Sequence, residues 1–146
     1  MAMYEIRDPI DLYAPRQGVR EIGANLGFGR NDCHELAIVV SELASNIVKY
    51  GVRGSILMES VQDAVRGAGL RLVARDQGPP FYDLKLALLD GFDDRGPIDP
   101  ATLLKRGGLG TGLGAIVRFS DSFDVEALAV GKAIRVIRYR LRPKNR

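Results

Sequence analysis

Two polar residues stand four apart on an otherwise largely apolar stretch, Glu42 and Asn46 within Ser41-Glu42-Leu43-Ala44-Ser45-Asn46-Ile47-Val48-Lys49-Tyr50. On a helix one turn separates them, so they share a face, with Lys49 and Tyr50 a turn further along. An asparagine carbonyl is a hard oxygen donor of the kind Mg²⁺ accepts beside phosphate oxygens and water. A neighbouring glutamate can polarise a hydroxyl or a water, and Lys49 can meet a phosphate as a point charge. Taken alone, the pair reads as a hydrogen-bonded couple on a solvated stripe.

Two further features widen the picture. Asp76 ends an apolar strand and is followed at once by a turn, Gln77-Gly78-Pro79-Pro80. Its carboxylate can accept a hydrogen bond from the exocyclic amine of a base, although an aspartate at a turn most often caps its own backbone. Late in the chain comes Gly107-Gly108-Leu109-Gly110-Thr111-Gly112-Leu113-Gly114. Glycine there serves neither helix nor strand, since each one loses conformational entropy on ordering. Such a run lets the backbone approach a ligand closely and point several N–H groups at one anion, with a following helix adding its positive end. A flexible hinge is the plainer alternative. No lysine occurs between Lys105 and Lys132, which excludes a P-loop, and the Gly-x-Gly-x-Gly spacing after a polar loop does not fit the dinucleotide fingerprint.

These residues need positioning elements. Met3–Arg7 alternates as a short strand, and Leu12, Val19, Ile22 and Leu26 suit one side of a helix from Asp11 to about Gly27. A second helix starts at Asn31 or Asp32, carries Leu36, Val39, Val40, Leu43, Ile47 and Val48 at three-and-four spacing, and stops at Tyr50-Gly51. Gly54–Val61 and Leu70–Arg75 read as a hairpin around a loop through Gly67-Ala68-Gly69. Phe81–Leu89 suits a short helix, and from Asp90 to Gly108 the chain turns polar and irregular, which in a domain this small points to function. A helix over Ala115–Phe119 and strands at Ser122–Ala129 and Ala133–Leu141, hinged at Val130-Gly131, close the chain. The order β-α-α-β-β-loop-α-β-β predicts an α+β sandwich, a mixed sheet with helices on one face.

Composition bounds the reading. With 146 residues, 46% of them hydrophobic, the chain fits one domain over 1–146. One cysteine, Cys33, excludes an internal disulfide and fits a reducing cytoplasm, and with one histidine, His34, a His/Cys zinc site lacks ligands. The first thirty residues do not read as the basic-then-apolar pattern of a signal peptide, and no apolar run approaches membrane-spanning length. A net charge of +3 does not demand nucleic acid. Cys33 reads as a buried structural thiol rather than a redox sensor. The cluster Arg135, Arg138, Arg140, Arg142, Lys144 and Arg146 lacks an aromatic platform and reads as a solvated strand edge.

Taken together and in this order, Ser41–Asn46, Asp76-Gln77-Gly78-Pro79, Asp90-Gly91-Phe92 and Gly107–Leu113 resemble the nucleotide site of the GHKL (Bergerat-fold) ATPases. The resemblance covers nearly the whole chain and is nearest to the small anti-sigma factor serine kinases of the RsbT/RsbW type, the RsbT branch in particular. It implies a Bergerat-type two-layer sandwich, with a mostly antiparallel sheet and a flexible ATP lid over about 81–106. It assigns Glu42 as catalytic base and Asn46 as the Mg²⁺ ligand, and puts Lys49 and Tyr50 near phosphate and ribose. Asp76 would bind the adenine amine beside Gly78, and Gly108, Leu109, Gly110, Thr111, Gly112 and Leu113 would line the phosphates. The implied activity is ATP- and Mg²⁺-dependent phosphorylation of a serine on a STAS-domain antagonist in a partner-switching stress response. A sigma factor or a PP2C-type phosphatase is a further implied partner, a homodimer stays open, and neither nucleic acid nor membrane is implied. The alternative is a nucleotide-sensing or inactive binding module. The chain departs from the family pattern at Pro80, where a glycine is usual, in the longer lid with its Asp93–Lys105 stretch, and at Gly131-Lys132, where Gly-Thr is usual and a hydroxyl is lost.

Overall fold

In the computed structural model, which describes residues 1–50, 53–78, 92–93, 96–97 and 113–141, helix α2 (Arg30–Tyr50) supplies the spine of the core. Its apolar spacing puts Leu36, Val39, Val40, Leu43 and Ile47 on one side, and all five are buried. Each such side chain, fully withdrawn from water, contributes about 1.5–3 kcal/mol. Before it runs α1 (Tyr13–Asn25), entered through a 3-10 turn at Pro9–Leu12 that is pinned by N–H groups of Arg7 and Asp8 donating to Asp11. Pro15 lies in the first turn of α1, where its missing N–H costs nothing. The helix ends at Gly27, whose φ of 90° only glycine adopts without strain. A short α3 (Leu113–Arg118) packs on α2 and buries Leu113 and Ile116.

Beneath the helices lies a five-stranded sheet, in the order β1-β2-β3-β7-β6. Its strands are β1 (Ala2–Ile6), β2 (Gly54–Asp63), β3 (Gly67–Asp76), β6 (Ser122–Ala127) and β7 (Lys132–Tyr139). Every pairing within it is antiparallel, so the expected predominance of antiparallel neighbours is complete in this sheet. Two residues each of β4 (Phe92–Asp93) and β5 (Gly96–Pro97) pair separately, within a stretch that reads as irregular from composition. Ile56, Met58, Leu70, Leu72, Ala74, Ile134 and Val136 face the helices and complete the core. This is the α+β sandwich expected.

Two expectations need correction. Gly67, Ala68 and Gly69 are not a loop but the first residues of β3, paired with Asp63, Gln62 and Val61. The turn is Ala64-Val65-Arg66, and Asp63 holds it by accepting hydrogen bonds from the N–H groups of Val65 and Arg66. The basic C-terminal strand is not an edge, because β7 lies between β3 and β6. Arg138 is buried, donating to Asp32 at 2.6 Å, Glu35 at 2.9 Å and the Phe119 carbonyl. Arg135 is paired with Asp124 and Glu126. The expected helix over Phe81–Leu89 and residues Arg142, Lys144 and Arg146 lie outside the described residues.

Candidate functional site

Glu42 and Asn46 face inward. They are 1% and 5% exposed, among the few polar side chains so deeply placed, and Ser41 and Ser45 are buried beside them. Ser41 satisfies itself by donating to the Ala37 carbonyl one turn back. The solvated-stripe reading of Glu42 and Asn46 is therefore excluded, since a polar group taken out of water costs roughly 1–3 kcal/mol unless something compensates it. Lys49, in the last turn, is exposed, and Tyr50 ends the helix.

The second part of the site sits where β3 ends. Asp76 pairs across the sheet with Gly54 on one side and Lys132 on the other. Ile47 of α2 packs so closely over Gly54 that a Cβ there would overlap its side chain. The turn of α2 carrying Asn46 thus lies at the same end of the sheet as Asp76. A cleft of about 440 Å³ also opens at this strand end, lined by Glu5, Ser55, Arg75 and Gln77. Those residues alternate with the helix-facing Ile6, Ile56 and Ala74, so the cleft belongs to the far face of the sheet.

Asp76 is 5% exposed and holds two donors on one oxygen. The N–H of Gly78 reaches Oδ1 at 2.8 Å, the Asx turn that an aspartate before a break commonly makes. The ammonium of Lys132 reaches the same Oδ1 at 3.0 Å. Lys132 is 2% exposed, among the largest fully buried side chains of the molecule. Read from sequence, position 132 registers as a lost hydroxyl; in the fold it is a buried ion pair. The signal that finds it is strand register, because residues directly opposite in an antiparallel pair put their side chains on one face. Gly131 makes the approach feasible: its φ is 86°, and a Cβ there would overlap the Asp76 carbonyl oxygen.

Gly78 donates its N–H to the Asp76 carboxylate, and Leu113 is buried at the start of α3. Gly108, Leu109, Gly110, Thr111, Gly112, Pro80 and the lid stretch 81–91 lie outside the described residues, as does the side chain of Tyr50. Cys33 is buried and donates to the Phe28 carbonyl; burial, then the neighbouring Asp32, pushes its thiol pKa up, which disfavours the reactive thiolate. No group of three or more acidic, histidine or cysteine side chains suited to a metal occurs among the described residues. The Asn46 carboxamide is an oxygen donor of the kind Mg²⁺ accepts beside phosphate and water. No helix among the described residues is long and apolar enough to cross a membrane.

The family model for the histidine kinase-like ATPase domain matches residues 7–138. The serine/threonine-protein kinase RsbT of Bacillus subtilis (strain 168) is 37% identical over 131 residues, which cover 88% of this chain and 89% of that protein.

Proposed function

The chain belongs to the histidine kinase-like ATPase family, and on that premise we propose that it is an ATP- and Mg²⁺-dependent protein serine kinase of a partner-switching system. The observation that carries this reading is the inward placement of Glu42 and Asn46 on α2 and of Asp76 at the end of β3, polar side chains that are each 5% exposed or less. The likeness to a serine/threonine-protein kinase over most of both chains supports the reaction type.

In this reading Asp76 accepts the amino group of adenine while the Gly78 N–H holds its carboxylate in place. The Asn46 carboxamide oxygen ligates Mg²⁺, which when bound neutralises charge on the phosphate oxygens. Amides of Gly108, Gly110 and Gly112 bind the phosphates, with Leu109, Thr111 and Leu113 shaping the loop, and Lys49 and Tyr50 lie toward phosphate and ribose. Glu42, desolvated on the same helix face, orients the attacking serine hydroxyl and takes its proton. The substrate in this proposal is a STAS-domain antagonist, a sigma factor or PP2C-type phosphatase is the alternate partner, and the compartment is the cytoplasm.

One observation favours a second reading, a nucleotide-sensing binding module without turnover: Lys132 already donates to the carboxylate that would receive adenine. Glu42→Ala separates the two. A kinase loses about 10²–10⁴-fold in serine phosphorylation while binding ATP nearly as before. Equal phosphorylation by the variant removes the assignment of Glu42, and absence of transfer in the unaltered protein favours the module.

A further inference from the structure

We propose that the outer face of the sheet, away from the helices, docks an acidic segment of a protein partner at the cleft lined by Arg53 and Arg75. Strand pairing builds the floor of that 440 Å³ cleft: Glu5 stands opposite Ser55, and Ser55 opposite Arg75. Arg53 joins them because its carbonyl accepts the N–H of Gln77, fastening the entry to β2 against the exit from β3. One row further in, Met3, Leu57 and Val73 are cross-strand partners on the same outer face, and Met3 is 69% exposed. Asp76 also borders the cleft, with its Oδ1 already engaged by Lys132 and the Gly78 N–H.

The charges on this face are sorted. Arg71 is held by Glu59, and Arg135 by Asp124 and Glu126. Arg53 and Arg75 are exposed and make no ion pair among the described residues. Arg7, which also lines the cleft, meets Glu5 at 3.7 Å with both side chains mostly in water, so that pair cancels little. Surplus positive charge thus lies beside an open apolar row, and its complement is a segment with carboxylates flanking an apolar side chain. The guanidinium fork suits a carboxylate in particular. A nucleic-acid strand fits less well, because no aromatic side chain lines the cleft among the described residues to stack a base. A second copy brings no match from this face, where Glu59, Asp124 and Glu126 are already paired.

The test is fluorescence anisotropy of a labelled octapeptide, Glu-Glu-Leu-Glu-Glu-Leu-Glu-Glu, titrated with the full chain in nucleotide-free buffer. Its comparators are the all-glutamate octapeptide, the same peptide with lysine for glutamate, and an oligothymidylate of equal charge. The expected result is saturable binding of the first peptide, weaker binding without leucine, none with lysine, and weakening as salt is raised. Arg53→Glu combined with Arg75→Glu should weaken it about tenfold or more, whereas Arg20→Glu, a charge change of the same kind on α1, should leave it unaltered. Where the double variant fails to fold, Arg53→Gln, which lies outside the strands, should still cost about threefold. No binding of the acidic peptide, or an equal loss in Arg20→Glu, overturns the proposal. So does tighter binding of the oligothymidylate, or a dimer in sedimentation that the double variant abolishes. ATP affinity should be the same in the double variant, and failure of the unaltered chain to bind ATP would leave this docking site standing.

Discussion

Lys132 and Asp76 form an ion pair at 3.0 Å with both side chains shut off from solvent, 2% and 4% exposed. A buried pair of this kind is costly to half-remove, because the surviving charge keeps its desolvation penalty and loses its partner. Lys132→Ala is therefore expected to lose about 3–5 kcal/mol of stability. Adding Asp76→Ala should restore part of it, so that the two losses are far from additive in a urea-denaturation cycle. Additive losses would mean that the pair is not coupled.

Gly131 makes that pair possible, and it tolerates no side chain. At a φ of 86°, with the Asp76 carbonyl where a Cβ would stand, Gly131→Ala should cost at least about 1–2 kcal/mol. Gly29, which has open space around it, is the control: Gly29→Ala should lie near neutral in the same thermal melts.

Arg138 joins β7 to the start of α2 through Asp32 and Glu35. The guanidinium is 3% exposed while the carboxylates are 37% and 29% exposed, so solvent screens part of the attraction. Arg138→Met should lose about 1–3 kcal/mol, and hydrogen exchange should quicken in the first turns of α2 ahead of the rest of that helix. Uniform exchange along α2 would argue against this tie.

The hairpin turn has a pH signature. The N–H groups of Arg66 and Val65 hold the Asp63 carboxyl below its ordinary range. A carboxyl lowered in the folded state adds stability that is complete above its unfolded pKa, about 4, and lost as pH falls through the folded value. Asp63→Asn should therefore flatten the fall in urea midpoint below about pH 4 and leave its slope at neutral pH unchanged. Parallel curves for the two proteins would remove Asp63 from the account.

Much of this was legible without coordinates, and the failures have physical causes. The spacing of Leu36, Val39, Val40, Leu43 and Ile47 foretells α2 because a helix must bury one stripe, and the same spacing carries Glu42 and Asn46 inward. Gly67 and Gly69 mislead because glycine signals a turn, whereas the turn precedes them and is held by the Asp63 side chain. Arg138 misleads because a charged residue in a strand reads as solvated, and Lys132 because it falls just before the strand expected at Ala133–Leu141, whereas β7 begins with it. Which strand lies inside the sheet, and which residue faces Asp76, depend on pairing between segments more than fifty residues apart. Local pattern does not encode that register.

The central claim is that Asn46 and Asp76 serve one nucleotide. Its most direct measurement is an ATP titration followed by calorimetry, with and without Mg²⁺, on the unaltered chain and on Asn46→Ala and Asp76→Asn. The account predicts one site per chain, weakened about tenfold or more in Asp76→Asn whether or not Mg²⁺ is present, and deprived of its Mg²⁺ dependence in Asn46→Ala. An isotherm that is flat for the unaltered chain, or identical in all three proteins, would contradict it.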